Sequence, residues 1–215
     1  MKILIAGGTG MVGSLILKNA LDNPKVTEVI SLLRKAQGNN HPKLKEVVID
    51  NFEDYSAHAD LFQDLDAAHF CIGVYTGQVD NALFEKITVN YAVKFAEAIK
   101  ANSPNARLCM LSGAGADRTE KSRTAFAKFK GRAENLIFDM VIEFYTFRPA
   151  YIYPVTKREE PNLMYTFSRA IYPIFKLMGK NLSIKSTELA QAMFNVGMTG
   201  TQLNVLENKD ILDLV

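Results

Sequence analysis

Three glycines carry the first chemistry in this chain. Ile5-Ala6-Gly7-Gly8-Thr9-Gly10-Met11-Val12-Gly13 spaces Gly7, Gly10 and Gly13 three apart, after an apolar run and before a segment of helical spacing. Glycine at such places lets the chain turn sharply, lets backbone approach a pyrophosphate, and lets a helix pack close to a strand. Backbone N–H groups at the helix start can then receive phosphate, with Thr9, Met11 and Val12 beside it. No Gly-Lys-Ser or Gly-Lys-Thr follows, so a mononucleotide P-loop is excluded. The spacing predicts a dinucleotide site in the first strand-to-helix turn, against the plainer reading of a merely tight turn.

The end of the second strand selects between dinucleotides. An acidic residue about 20 positions after the glycines would hold a ribose 2′-hydroxyl. Here the apolar run Val26–Leu33 ends in Arg34-Lys35, with no acid beside them. A guanidinium can stack on adenine and pair with a 2′-phosphate, so NADP(H) is expected over NAD(H), which stays possible. Asp50-Asn51, after the third strand, could bond the adenine amine; Asn51 as a simple turn residue is the alternative.

These residues need a frame, and strand–helix alternation supplies it. Strands are predicted at Lys2–Ala6, Val26–Leu33, Glu46–Ile49, Ala67–Ile72, Ala106–Leu111, Val141–Phe147 and Leu203–Leu206. Helices are predicted at Met11–Leu21, Ser56–Gln63, Asn81–Ala101 and Thr124–Met140, the last with a stripe of Phe126, Phe129, Ala133, Leu136 and Met140. A helix follows at Thr187–Met198, capped by Ser186, and a helical turn at Lys209–Leu214. Pro161–Met178 reads as a helix interrupted at Pro173 and apolar nearly all round: a substrate lid, a homodimer face or a buried core helix. Apolar strands alternating with helices predict a parallel sheet covered on both faces. One domain is expected over 1–215, with roughly 150–200 forming its substrate side.

At this point the sequence resembles the short-chain dehydrogenase/reductase superfamily, in its atypical branch typified by the Tat-interacting-protein oxidoreductase-like proteins. The matching stretches are Gly7–Gly13, Arg34-Lys35, Phe70-Cys71-Ile72-Gly73, Val89-Asn90-Tyr91, Leu111–Asp117, Phe147-Arg148-Pro149 and Val205–Lys209. The resemblance implies a doubly wound Rossmann sheet with a small C-terminal extension, and an NADP(H)-dependent reductase of an unidentified small carbonyl or conjugated substrate. Cys71, Ile72, Gly73, Pro149, Ala150 and Tyr151 would join the glycine turn around the cofactor. The family's chemistry uses a serine to polarise a carbonyl, a tyrosine to donate a proton, and a lysine four residues later that lowers the tyrosine's pKa and holds the nicotinamide ribose. Ser112 and Lys130 fill the first and last places; Phe126 stands where the tyrosine should be. Phenylalanine donates no proton, and a positioned general acid is worth about 10²–10⁴-fold. Tyr75, after the fourth strand, is the substitute hydroxyl, or a wall-lining aromatic. Tyr153–Lys157 and Tyr172–Lys176 repeat the tyrosine–lysine spacing beside prolines and read as chance. An NADP(H)-binding redox sensor or regulatory protein with little turnover is the competing function.

Composition narrows the rest. The 215 residues are 48% hydrophobic and 22% charged, as in globular proteins. Lys+Arg 25 against Asp+Glu 23 is too balanced to argue for nucleic acid or an anionic membrane. Cys71 and Cys109 lie in apolar runs and read as buried free thiols. His41, His58 and His69 form no metal-ligand spacing. Neither a membrane span nor a signal peptide is expected, and a reducing, cytoplasmic location fits best.

Overall fold

The computed structural model describes residues 1–75, 77–155 and 181–215. Seven parallel strands form its centre: β1 (Lys2–Ala6), β2 (Glu28–Leu33), β3 (Leu44–Val48), β4 (Ala67–Phe70), β5 (Arg107–Leu111), β6 (Phe144–Arg148) and β9 (Val205–Glu207), in the order β3-β2-β1-β4-β5-β6-β9. Strand order reverses between β1 and β4, where Ile3–Ala6 pairs with Ala67–Phe70. Such a reversal opens a crevice at the carboxyl ends of the strands.

Every residue of Ile3–Ala6 and Ala67–Phe70 is buried, because helices cover both faces. Leu4, Ile30, Phe70, Leu108 and Phe144 meet Phe62, Phe95 and Ile99 on one side. The helix α3 (Tyr91–Asn102) and a 3-10 turn at Ser56–Phe62 supply those aromatics. Ile3, Ile5, Cys109 and Phe147 meet Ile16 of α1 (Gly13–Asp22) and Leu189 and Met193 of α5 (Ser186–Thr199) on the other. Fully burying each such aliphatic or aromatic side chain is worth about 1.5–3 kcal/mol. This is the doubly wound Rossmann-type sheet expected from the alternation.

Several expectations need correction. The long helix over Asn81–Ala101 is two: α2 (Asn81–Glu85) and α3, joined by a π turn at Lys86–Asn90. Asp80 starts α2 by accepting the Leu83 N–H at 2.8 Å. In α4 (Ala125–Phe138) Leu136 is exposed and Ile137 takes its place in the core. The N-cap of α5 is Lys185, not Ser186; its N–H reaches the Glu188 carboxylate at 2.9 Å, so Glu188 stands at the proper capping offset. Beyond β6, Tyr151–Tyr153 (β7) pairs in parallel with Ser183–Lys185 (β8), a two-stranded sheet that the turn-like Pro149 and Pro154 concealed. The closing helix α6 spans Asn208–Leu212. Pro161–Met178, with Tyr172–Lys176, lies outside the described residues.

Candidate functional site

The glycine turn is built as its spacing predicted, and each glycine has its own reason. Gly7 has φ +91°, and a Cβ there would stand 2.8 Å from the Cys71 carbonyl carbon. At Gly13 a Cβ would fall 2.2 Å from Gly7 O, so α1 starts against the turn itself. Gly10 donates its N–H to Gly7 O at 2.9 Å. A Cβ on Gly10 would meet only that oxygen, at 3.3 Å, and otherwise open space. No side chain caps the start of α1, which leaves the helix N-terminus facing a cleft where an anion can bind.

That cleft holds about 420 Å³. Gly10, Met11 and Val12 form one wall and Cys71–Tyr75, after β4, the next; Leu111–Gly113 close the end of β5, Phe126 and Lys130 come from α4, and Pro149–Ile152 from the β6–β7 passage. The structure therefore gathers Gly10, Met11, Val12, Cys71, Ile72, Gly73, Tyr75, Ser112, Lys130, Pro149, Ala150 and Tyr151 around one space. Arg34, Lys35, Asp50 and Asn51 stand exposed beyond the ends of β2 and β3. The Asn51 side-chain oxygen accepts the Glu53 N–H at 3.0 Å, which is turn chemistry and leaves its amide nitrogen for any ligand. Tyr153 lies on β7, and Lys157 lies outside the described residues.

Cys71 is half-buried and lines the cleft, which corrects its reading as a core thiol; Cys109 is fully buried. Burial pushes the Cys71 thiol up to about 12, with the nearby Lys130 pulling the other way. His69 is wholly buried on β4 with neither ring nitrogen hydrogen-bonded, and burial holds it near 4. Among the described residues no cluster of histidine, cysteine and carboxylate could hold a metal ion.

The α4 side is organised by helical period. Phe126, Lys130 and Glu134 follow at steps of four, so they lie one above another on the face turned toward the strand ends. Close packing fixes that face: at Gly131 a Cβ would stand 1.9 Å from Asp117 O, so α4 rests directly on the loop after β5. The Phe126 ring tip touches Gly113, where a Cβ would be 2.5 Å from Cζ, the atom that bears a tyrosine's hydroxyl. Lys130 Nζ donates to Leu111 O at 3.1 Å. Burial draws its pKa down to about 8, opposed by the Glu134 carboxylate and Cys71.

Glu134 escaped the sequence reading. It is completely buried and accepts Ser112 Oγ at 2.7 Å, Thr146 Oγ1 at 3.0 Å and Arg148 Nε at 3.1 Å, all on Oε1. Arg148 Nη2 grips Oε2, and Nη1 reaches Glu207 at 2.9 Å. The two carboxylates hold the guanidinium above its usual range, Glu134 most strongly. The signal was present: a glutamate four residues past Lys130, among the apolar positions of α4, is a charge on an inward face, and buried charges are paired.

A glycine turn feeding a helix start, at the reversal point of a parallel sheet, defines a dinucleotide-binding α/β protein. A protein family described as NAD(P)H-binding matches residues 7–167, and the chain belongs to that family. Protein HTATIP2 of Rattus norvegicus is 24% identical over 220 residues, covering 99% of this chain and 88% of the rat protein. Among solved structures, yeast methylglyoxal/isovaleraldehyde reductase Gre2, complexed with NADPH, superposes with a TM-score of 0.70 at 15% identity, over 96% of this chain and 78% of that one. The oxidoreductase ylbE of Lactococcus lactis gives 0.67 at 18% identity, over 99% and 95%. WbmH of Bordetella bronchiseptica, in complex with NAD+, gives 0.69 at 18%, over 99% and 79%. These matches support an NAD(P)-binding chain, and the Rossmann-type fold is what the solved structures share with it. Both forms of the dinucleotide occur among them. Among the described residues no helix is long and apolar enough to cross a membrane.

Proposed function

We propose that this chain is an NADP(H)-dependent oxidoreductase of the atypical short-chain type, acting on a small, moderately apolar carbonyl/alcohol couple. The observation that carries it is one cleft in which the open face of Gly10 and the start of α1 meet Lys130 and Ser112. Gly10–Val12 would hold the pyrophosphate of a dinucleotide, Arg34 and Asn51 its adenosine end, and Lys130 its nicotinamide ribose. When bound, the dinucleotide would supply or take up hydride. The chain's own groups do the rest. Arg34 and Lys35 favour the 2′-phosphate, because charge-assisted pairs are among the stronger hydrogen bonds. Tyr151 and Ile152 would give the substrate an apolar wall.

Phe126 favours a second reading, an NADP(H)-binding sensor with little turnover. Two groups remain as proton sources for the first. Lys130, near 8, has the pKa that a general acid needs at neutral pH, and Tyr75 lines the same cleft. Calorimetric titration of NADPH and NADH, with NADPH oxidation against a carbonyl panel, separates the readings. Tighter NADPH binding that weakens toward NADH in Arg34→Ala, by about tenfold for one charged hydrogen bond, is expected. Equal binding of the two dinucleotides overturns the preference. A brisk rate lost in Tyr75→Phe makes Tyr75 the acid. Binding without turnover on every substrate supports the sensor.

A further inference from the structure

The segment after β2 is tied back onto β3 by one carboxylate. Glu46, on β3, accepts the backbone N–H of Gln37 at 2.9 Å and that of Gly38 at 3.0 Å, both on Oε2. Two successive N–H groups on one oxygen, with Gly38 at φ +71°, make a concave backbone cradle for an anion, and Glu46 fills it from within the chain. The Gln37 side-chain amide then reaches back to Lys35 O at 2.8 Å. Through Gln37, Glu46 thus fixes the peptide of Lys35 from the neighbouring strand. The loop held in this way begins beside the glycine turn. β2 pairs with β1 through Leu32 and Ala6, so two residues on Arg34 comes level with Gly8. A Cβ on Gly8 would stand 2.5 Å from Ser31 Oγ, which puts the end of β2 against the turn. Arg34 and Lys35 themselves are exposed.

We infer that Glu46 is a positioning residue for this loop: it sets the backbone that presents Arg34 and Lys35 to a ribose 2′-phosphate, and so enlarges the preference for NADPH over NADH. The inference rests on the proposed reading that Arg34 meets the adenosine end of a dinucleotide. A long basic side chain loses rotamer freedom when it grips a phosphate, and an unfixed loop beneath it would have to be ordered as well. A loop already tied down removes the second cost. An acid at the end of β2 would argue the other way, because it accepts a ribose 2′-hydroxyl. Glu46 stands elsewhere: it lies opposite Ser31 in the β2–β3 register, three residues short of Arg34, and its Oε2 is turned to the loop's own donors.

The test titrates NADPH and NADH into the full chain by calorimetry, wild type beside Glu46→Ala, Glu46→Gln and Gln37→Ala, and follows backbone amide exchange of the free proteins at residues 34–38. Ordering one long side chain with its loop is worth about threefold to tenfold in affinity. In Glu46→Ala the Gln37 and Gly38 amides lose protection, NADPH weakens by that factor, and NADH binds as in wild type. Glu46→Gln keeps an oxygen for the two N–H groups and keeps more of the preference. Gln37→Ala removes the tie to Lys35 O and lowers the NADPH-to-NADH preference in the same direction; it carries the decision if Glu46→Ala does not fold. In an Arg34→Ala/Lys35→Ala background, Glu46→Ala changes the preference no further, since its effect passes through those two side chains. Equal weakening of both dinucleotides would mark a merely structural role and overturns the inference. So does an unchanged preference once amide protection is lost, or a preference that rises when the carboxylate is removed, as it would if Glu46 repelled the phosphate or held a 2′-hydroxyl. Failure of the underlying reading is seen in wild type alone: neither dinucleotide binding, or both binding equally, sinks the NADP(H) reading before any variant is compared.

Discussion

The two halves of the cleft are made of different material. The dinucleotide half is backbone: Gly7 at positive φ, Gly13 pressed on Gly7 O, an open Gly10 and an uncapped helix start. The opposite half is side chains, with Phe126, Lys130 and Ser112 brought together by α4 and the end of β5 and braced by Glu134 and Arg148. At Gly7 and Gly13 this half tolerates almost no substitution, because a methyl group there meets main-chain atoms that cannot move aside. A side-chain site can change its chemistry at a single position without disturbing the frame, and Phe126 is such a position. The fold can thus keep its cofactor and alter what it does with it.

The largest expected effect tests the side-chain half. Phe126→Tyr places a phenol beside an existing lysine and should raise carbonyl reduction, with a ceiling of about 10²–10⁴-fold. The wild type and the variant are compared by NADPH oxidation on the same panel. No gain, with NADPH still bound, would mean that the half lacks more than one hydroxyl. Gly10→Val tests the backbone half. Its side chain fills open space toward the cleft, so NADPH affinity should fall about a hundredfold, the worth of two lost phosphate contacts. Its melting temperature should stay close to wild type. A variant that binds NADPH normally would place the phosphates elsewhere.

The smallest effect concerns Lys130, whose folded pKa of about 8 lies below its ordinary 10.5. Folding then disfavours its proton: the cost is present in full below pH 8 and disappears as pH rises through 8 to 10.5. Lys130→Met should therefore raise the melting temperature relative to wild type at pH 7, and the difference should vanish toward pH 10.5. A gain that is the same at both pH values would show that the methionine acts by packing alone.

The frame was legible because its signals are local. Apolar runs closed by glycine or proline marked β1, β4 and β5, and the spacing of Gly7, Gly10 and Gly13 marked the one turn that needs three glycines for three separate contacts. The side-chain half was legible only in part. Lys130 and Ser112 came from resemblance, while Glu134 depends on partners from the end of β5 and from β6, contacts that no local pattern encodes. The π turn at Lys86–Asn90 was hidden for a related reason, since a single widened turn preserves most of the helical spacing around it. Arg34 was read from the absence of an acid as much as from its own charge, and its exposed place past β2 is compatible with that reading.

Arg148 binds two carboxylates that lie 73 positions apart in the sequence, Glu134 and Glu207. Losing Arg148 alone would strand a fully buried carboxylate, and losing Glu134 alone would leave the guanidinium with Glu207 only and turn two hydroxyls loose. Breaking one partner of a buried pair costs about 3–5 kcal/mol, whereas replacing the set together by apolar groups of similar volume is often neutral. Positions 112, 134, 146 and 148 are therefore coupled in divergence: a lineage that abandons one of these charges has to pass through a destabilised intermediate or exchange the pair as a unit.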